Sequence, residues 1–369
     1  MTAIKRLAAA AILALAPLSA LAAPEIEVVA SLAQGPGNIA VTADGRVIVS
    51  LHQFYAPDLR VVEIGADGTL KPFPNRLWAS APAAGAGART GVDAVLGRRA
   101  GADGVVWLLD NGRLSGAVPK LVGWDTHADR LVRVIHLPAP ATTPNSFQND
   151  LAIDPAHNAI YLADPAGGAN AALVVVDLTT GVSRRVLEGD RSLVPEDLEI
   201  AVDGKPLRVK RPDGSIVAPK VGVNPITLDK ANQWLYFGPM SGRSLYRART
   251  SDLLDPSLAP EQLSGRIERF GDKPGSAGIT IDDAGNVYVT DVAANAIGVI
   301  APDGKYRVLV QDDELLDWPD GLSTGPDGYI YATVNRLHKS AVLSADESSA
   351  APPFYVVRIK ALAPVSIGR

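Results

Sequence analysis

The 369-residue sequence contains no cysteine and only two methionines, and aromatic residues make up 5% of it. The lack of cysteine excludes disulfides and thiolate metal sites, so an apolar core has to hold the fold. The 35 basic residues are outnumbered by 40 acidic ones, which leaves no basic footprint for nucleic acid as a partner. Motifs of serine hydrolases, zinc proteases, P-loop proteins and dinucleotide-binding enzymes are also missing.

Long apolar runs are scarce as well, and the run that stands out lies at the N-terminus. Lys5 and Arg6 precede an apolar stretch from Leu7 to Leu21, and small residues at 20–22 offer a cleavage site. This stretch is too short to span a bilayer comfortably, so the pattern predicts a signal peptide at residues 1–22. We therefore expect a periplasmic or secreted protein without a membrane span.

What the sequence does contain is one phrase repeated six times. Each copy reads as a short strand, a tight turn and a second strand rich in Val, Ile and Tyr, as in PGNIAVTADGRVIVS from Pro36 and SAGITIDDAGNVYVTD from Ser276. Each interval between copies has room for a four-stranded blade, which needs roughly 40 to 50 residues. The copies are aligned on Asn38, Asp93, Asp150, Pro225, Gly278 and Gly321.

This repeat predicts an all-β fold, a six-bladed β-propeller over residues 23–369. The last repeat lacks a fourth strand, and EIEVVA from Glu25 is expected to complete it and close the ring. An insertion at residues 188–221 is expected to lie over the channel mouth as a hairpin flap. A closed ring of this size can bury enough apolar surface without a partner, so we expect a monomer.

A propeller brings the starts of its inner strands and the ends of its second strands to one mouth of the central channel. Asp150, Asp93, His52 and His338 are among the polar side chains expected to converge there. The alternative is structural, with these polar groups bonding only loop backbone. The residues predicted to bind a small-molecule ligand are Asn38, Asp93, Asn149, Asp150, Asn224, Asp320 and Asn335.

The phrases PGNIAVTADGRVIVSLHQFY, FQNDLAIDPAHNAIYLAD and WPDGLSTGPDGYIYATVNRLH resemble the bacterial branch of the major royal jelly protein/yellow family. The resemblance runs from about Ile26 to Leu362. It implies an exported six-bladed propeller whose central pocket, in some members of the family, binds small molecules that are often aromatic amines or lipid-like compounds. It does not specify a reaction, so an enzyme and a binding protein both stay open.

A more distant similarity, to the gluconolactonase and senescence-marker propellers, implies a metal held by oxygen ligands. Asn149, Asn224 and Asp320 stand at matching ligand positions, whereas Gly37-Asn38 stands where that family has a Glu. Oxygen ligands without cysteine favour Ca²⁺ or Mg²⁺. The alternative function is then a metal-dependent hydrolase of lactone-type esters, or a related isomerase or tautomerase. This similarity implies that the metal polarises the ester carbonyl, that Asp150 or Asp93 acts as catalytic base, and that His52 and His338 are candidates to move protons or orient the substrate.

Overall fold

The computed structural model describes residues 24–82, 90–211, 213–345 and 350–369, and its main feature is a ring of antiparallel sheets. Six sheets have four strands each, and their innermost strands contact one another in cyclic order. The sheets are therefore the blades of a six-bladed β-propeller, and the predicted all-β fold class is confirmed. The predicted signal peptide at 1–22 lies outside the described residues.

The strands follow the chain from blade to blade, after an initial strand β1 (Ile26–Leu32). Blade 1 has β2 (Pro36–Val41), β3 (Val47–Leu51), β4 (Val61–Ile64) and β5 (Leu70–Pro72); blade 2 has β6 (Val95–Ala100), β7 (Val105–Asp110), β8 (Lys120–Asp125) and β9 (Arg130–His136); blade 3 has β10 (Asp150–Asp154), β11 (Ala159–Asp164), β12 (Ala172–Asp177) and β13 (Ser183–Val186).

Four short strands follow blade 3, namely β14 (Ala201–Val202), β15 (Lys205–Pro206), β16 (Val209–Lys210) and β17 (Ile216–Val217). Blade 4 has β18 (Val223–Leu228), β19 (Trp234–Pro239), β20 (Ser244–Arg249) and β21 (Glu268–Asp272); blade 5 has β22 (Ile279–Ile281), β23 (Val287–Asp291), β24 (Ala296–Ile300) and β25 (Tyr306–Gln311); blade 6 has β26 (Pro319–Thr324), β27 (Tyr329–Val334) and β28 (Phe354–Lys360).

Helices are few and short: α1 (Arg76–Ala79), α2 (Thr250–Leu254), α3 (Pro260–Ser264) and the 3₁₀ turns Gln53–Tyr55 and Leu337–Lys339. Within the described ranges, none has the length and apolarity that crossing a membrane would require.

The N-terminal strand closes blade 6, as the sequence predicts. β1 pairs antiparallel with β28, and the strand order of this sheet is β1-β28-β27-β26. Leu32 of β1 is 3% exposed and packs in one core cluster with Phe354 and Val356 of β28. Arg358 forms an ion pair with Glu27 at 2.7 Å across the same two strands. The first strand thereby covers an edge that blade 6 would otherwise expose.

Apolar side chains fill the spaces between neighbouring blades. Leu173 of blade 3, for example, belongs to the same buried cluster as Val223 and Phe237 of blade 4. Tight turns join the strands within a blade. Gly45 in the first of these turns has φ +84°, a backbone conformation that is strained for any residue with a side chain. Because the apolar core lies between the sheets, the channel at the centre of the ring is left for polar side chains.

Residues 188–221 contain two short hairpins, β14 with β15 and β16 with β17. Ile200, Val202 and Leu207 of this insertion are buried in one cluster with Trp318 and Leu337, which flank the inner and second strands of blade 6. The insertion therefore packs across the ring against blade 6, by an apolar contact between segments that are far apart in the chain.

Truncation of a buried side chain of β1 tests the closure of the ring. Leu32→Ala should lower the free energy of unfolding by about 2–5 kcal/mol, because it removes buried methyl groups and leaves a cavity. Val28→Ala is the matched control, since Val28 lies on the same strand but is 49% exposed, and it should change stability by less than about 0.5 kcal/mol. Urea unfolding of both variants measures the difference. Equal stabilities would mean that β1 adds nothing to the fold.

Candidate functional site

A cavity of about 350 Å³ lies at the mouth of the channel, where the inner strands begin. Every blade contributes to its floor. The floor residues are Asn38 of blade 1, Leu96 of blade 2, Asn149 and Asp150 of blade 3, Asn224 of blade 4, Ala277 of blade 5 and Asp320 of blade 6. Five of the predicted ligand-binding residues, together with His52, therefore meet around one space; the other two, Asp93 and Asn335, do not line it.

β-Bulges direct several of these side chains into the cavity. In blades 1, 2, 4 and 6 the pairing of the first two strands slips by one residue near the start of the inner strand. In blade 6, for example, Pro319 pairs with Val334 and Leu322 with Ala332, so Asp320 and the next residue face a single partner. A bulge of this kind turns a side chain away from the regular alternation of the strand.

The bulge also corrects the alignment of the second repeat. In blade 2 the slip lies between Val95 and Arg98, so the structural equivalent of Asn38 is Gly97 rather than Asp93. Asp93 precedes β6, and its carboxylate accepts hydrogen bonds from the backbone of Leu114 and Ser115, both at 2.9 Å. These hydrogen bonds hold a loop in place, which is the structural role that the sequence analysis gave as the alternative to catalysis. A glycine is needed at 97, because a Cβ there would lie 2.5 Å from the Asn149 carbonyl oxygen.

Asp320 is the carboxylate on the cavity floor whose hydrogen-bond partner is neutral. Its Oδ2 accepts a hydrogen bond from the amide of Asn335, which also donates to the Pro36 carbonyl at 3.0 Å. Burial raises the pKa of Asp320 to about 7; the charge of Asp150 adds to this, whereas Asn335 and Arg98 oppose it. Asn335 therefore lies behind the cavity wall and holds Asp320 in position.

Asp150 differs from Asp320 because a buried arginine lies beside it. Arg99 of β6 is 1% exposed, and its guanidinium is 3.5 Å from the Asp150 carboxylate. The amide of Asn38 donates to the same carboxylate at 2.9 Å. Burial raises the pKa of Asp150, and Arg99 opposes that rise. The neighbouring Arg98 is fully buried as well, and its charge acts on both carboxylates.

The two arginines are the main feature that the sequence analysis missed. They stand next to each other in VLGRRA, a segment whose other residues are typical of a buried strand. Two charged residues in such a strand were the signal by which the sequence could have revealed them. Arg98 donates to the backbone of Leu96 at 2.9 Å. Because these side chains replace apolar ones at the centre of blade 2, the channel contains two fixed positive charges beneath its carboxylates.

The two candidate histidines occupy different places. His52 lines the cavity, and burial lowers its pKa to about 3, so the ring is neutral. Its Nδ1 accepts a hydrogen bond from the Phe54 backbone at 3.2 Å, which leaves the proton on Nε2. His338 does not line the cavity. It lies behind Trp318, whose ring stacks on it with 5.6 Å between centroids and 14° between planes.

Aromatic side chains form part of the cavity wall. Phe54 and Phe147 approach each other with ring centroids 6.4 Å apart, and Trp318 lines the same space. Trp318 is fully buried and has φ +62°, which is uncommon for a bulky residue. Their positions depend on loops of blades 1, 3 and 6, so no repeat in the sequence marked them. The cavity thus combines an aromatic wall with a floor of amides and carboxylates.

The predicted metal ligands Asn149, Asn224 and Asp320 lie together but do not suit a hard divalent cation. The amide nitrogen of Asn149 donates to the side-chain oxygen of Asn224, so the protein already uses one of the two lone pairs of that oxygen. The amide nitrogen of Asn224 is 3.4 Å from the Ala277 carbonyl. Of the three side chains, only Asp320 presents a carboxylate.

The charges of the channel lead to the same conclusion. Ca²⁺ takes six to eight oxygen ligands, several of them carboxylates, and Mg²⁺ demands octahedral oxygen geometry. At the blade 1 position, where the gluconolactonase-like pattern needs a Glu, Asn38 turns its amide nitrogen toward Asp150 and its oxygen to the Ile39 backbone. The charge of Asp150 is already opposed by Arg99, whose guanidinium lies 3.5 Å from its carboxylate. With one carboxylate among the three predicted ligands, the channel floor is a poor match for Ca²⁺ or Mg²⁺, and the metal site stays a prediction.

Comparison with solved structures shows the same fold in several proteins. A gluconolactonase from Xanthomonas campestris is similar with a TM-score of 0.57 and 12% identity, over 91% of this chain and 89% of that chain. The calcium-binding protein regucalcin from Agrobacterium tumefaciens is similar with a TM-score of 0.55 and 14% identity, over 93% of this chain and 97% of that chain. A luciferin-regenerating enzyme has a TM-score of 0.56 and 13% identity, over 94% of this chain and 100% of that chain. At these identities the similarity concerns the fold alone.

Comparison at the level of sequence gives the family. No protein among those with curated descriptions matches the chain. Residues 99–362 match the family model described as major royal jelly protein, which is more than half of the sequence. The chain therefore belongs to the major royal jelly protein family.

Proposed function

We propose that this propeller binds a small organic amine with an apolar, preferably aromatic, body in the cavity at its channel mouth. The observation that carries the proposal is the position of Asp320, a half-buried carboxylate facing a cavity whose wall contains Phe54, Phe147 and Trp318. A cavity of about 350 Å³ lies in the size range of small-molecule sites. The aromatic body would lie against the rings and the ammonium group on the carboxylate.

The contacts of the two floor carboxylates support Asp320 rather than Asp150 as the group that receives the amine. Asp150 already faces Arg99 at 3.5 Å, whereas Asp320 has the neutral amide of Asn335. An ammonium group would supply the missing opposite charge, and burial would strengthen that interaction.

The cations at the rim of the cavity already have acceptors on the protein. Arg113 donates to the carbonyls of Pro144 and Ser146, and Lys220 pairs with Asp197 at 3.3 Å. Because their positive charges are directed to those partners, they do not supply the group that Asp320 lacks. The floor of the cavity is therefore better suited to a ligand that brings its own positive charge.

A second candidate function, hydrolysis of lactone-type esters in the same cavity, rests on the pKa of Asp320. A carboxyl group that titrates near pH 7 inside a concave site is suited to general base catalysis. A panel of lactones, assayed with and without EDTA, distinguishes this function from binding alone. Turnover that Asp320→Asn abolishes would replace the binding proposal by a catalytic one.

The head group of the ligand is tested with three probes that share one ring: phenethylamine, phenethyl alcohol and phenylacetate. Calorimetry should show binding of the amine, and Asp320→Asn should weaken it roughly 10- to 100-fold, because a charged hydrogen bond contributes about 1.5–3 kcal/mol. Asp93→Asn is the matched control and should leave the affinity unchanged, since Asp93 does not line the cavity. Equal affinity for the amine and the alcohol would contradict the proposed role of charge.

The affinity for phenethylamine should also depend on pH. The pKa of Asp320 is raised to about 7, so the group is neutral below pH 7 and ionised above it. Because the ammonium group requires the ionised form, binding should be about tenfold tighter at pH 8 than at pH 6. Asp150 and Arg98 act on Asp320 from the facing blades, and the Asp320→Asn variant should lose this pH dependence. A flat profile in the parent protein would count against Asp320 as the receiving group.

We also propose that the chain is exported, on the basis of the charged and apolar pattern at residues 1–22. When the full-length chain is produced in a bacterium, the mature protein should be found outside the cytoplasm with Ala23 as its first residue. Leu13→Arg interrupts the apolar run and should retain the precursor in the cytoplasm. N-terminal sequencing of the fractions measures both outcomes, and a mature protein that retains Met1 would refute export by cleavage.

A further inference from the structure

Behind the Trp318 wall, three side chains that can bind metals converge outside the proposed ligand cavity. They are Asp203, Asp317 and His338, and one ligand atom of each lies within 4.8 Å of the others. Asp317 Oδ1 is 3.4 Å from His338 Nε2. This separation is close to that of two ligands on one metal ion with bonds of about 2.0–2.2 Å.

The second observation is that atoms facing this point lack hydrogen-bond partners. The side chain of Asp317 is 5% exposed, and its Oδ1 has no hydrogen bond to the described residues. The same holds for the ring nitrogens of His338, whose side chain is 12% exposed. Buried polar atoms of this kind are nearly always bonded, so an unbonded oxygen facing an unbonded imidazole nitrogen points to a missing ligand.

The protein holds one oxygen of each carboxylate in place. Asp317 Oδ2 accepts from Lys339 and lies 3.3 Å from Arg336 Nε, so these cations occupy one side of the carboxylate and leave Oδ1 toward His338. Asp203 Oδ1 accepts a hydrogen bond from Asn295 at 2.7 Å. Such hydrogen bonds orient metal ligands, as outer partners do in known metal sites.

We propose that Asp203, Asp317 and His338 bind one divalent transition-metal ion, with Zn²⁺ as the ion best suited to one imidazole nitrogen and two carboxylate oxygens. Ca²⁺ and Mg²⁺ prefer oxygen ligands throughout, whereas Zn²⁺ takes histidine and aspartate together. The site is separate from the channel floor and does not depend on the proposed amine binding.

The three ligands come from different parts of the fold. Asp203 lies in the turn between β14 and β15 of the insertion, Asp317 precedes β26, and His338 belongs to the 3₁₀ turn after β27. A bound ion would therefore tie the insertion to blade 6, beside the apolar contact that Val202 makes in the cluster of Trp318. Metal binding is expected to stabilise the fold, since the ligands converge only when the ring is formed.

Calorimetric titration of the dialysed full chain with ZnCl₂ tests the site. We expect one Zn²⁺ per chain, affinity for Ca²⁺ and Mg²⁺ at least about a hundredfold lower, and a rise in the midpoint of thermal unfolding of about 4 °C at a hundredfold excess of Zn²⁺ over its Kd. Asp203→Asn and His338→Gln should each weaken Zn²⁺ binding at least about tenfold. Asn tolerates the φ of +52° found at Asp203, so the first variant should fold normally.

Matched controls separate this site from general metal binding and from the channel. Asp213→Asn alters the second Asp-Gly turn of the same insertion, and His136→Gln alters an exposed histidine; both should bind Zn²⁺ like the parent. Asp320→Asn should also bind Zn²⁺ normally, whatever its effect on amine binding. The proposal is overturned if the parent binds no Zn²⁺, if it prefers Ca²⁺, if Asp203→Asn and His338→Gln bind as well as the controls, or if Asp320→Asn is the variant that loses the ion.

Discussion

The guanidinium of Arg99, at the centre of the ring, bonds to more separate parts of the chain than any other side chain described above. It donates to the carbonyls of Leu151 in blade 3, Leu322 in blade 6 and Arg369, at 3.3, 2.9 and 3.0 Å, and it faces the carboxylate of Asp150. A buried charge is costly unless it is fully bonded, so these acceptors must stay in place while the blades pack. Blade 2 is thereby joined through the channel to the strands around it.

The same arginine explains why two floor carboxylates have different properties. Asp150 and Asp320 stand near the start of inner strands in a ring of similar blades, and burial raises the pKa of both. Only Asp150 has a guanidinium beside it, whereas Asp320 has an amide. The repeated architecture supplies equivalent positions, and the side chains placed at them make one side of the cavity differ from another. A ring of similar blades thus forms a cavity that has a carboxylate beside a guanidinium on one side and a carboxylate beside an amide on another.

Much of the fold could be predicted because each blade is formed by contacts that are local in sequence. Strand alternation and Asp-Gly turns identified the repeats, and the missing fourth strand of the last repeat identified β1 as the closing strand. Ring geometry then brought Asn38, Asn149, Asp150, Asn224 and Asp320 to one cavity. Asp93 was misplaced, because a β-bulge adds a residue to the inner strand and periodicity does not show where it lies.

The sequence by itself determined the number of blades, the way the ring closes and the end of the channel at which polar side chains gather, because these follow from short-range patterns and from the length of each repeat. Only the tertiary structure decided which carboxylate has a buried arginine as its partner, which aromatic rings form the wall, and that Asp203, Asp317 and His338 meet. Those contacts join residues from different blades and loops. Their distances depend on how the blades and insertion pack, which no local pattern records.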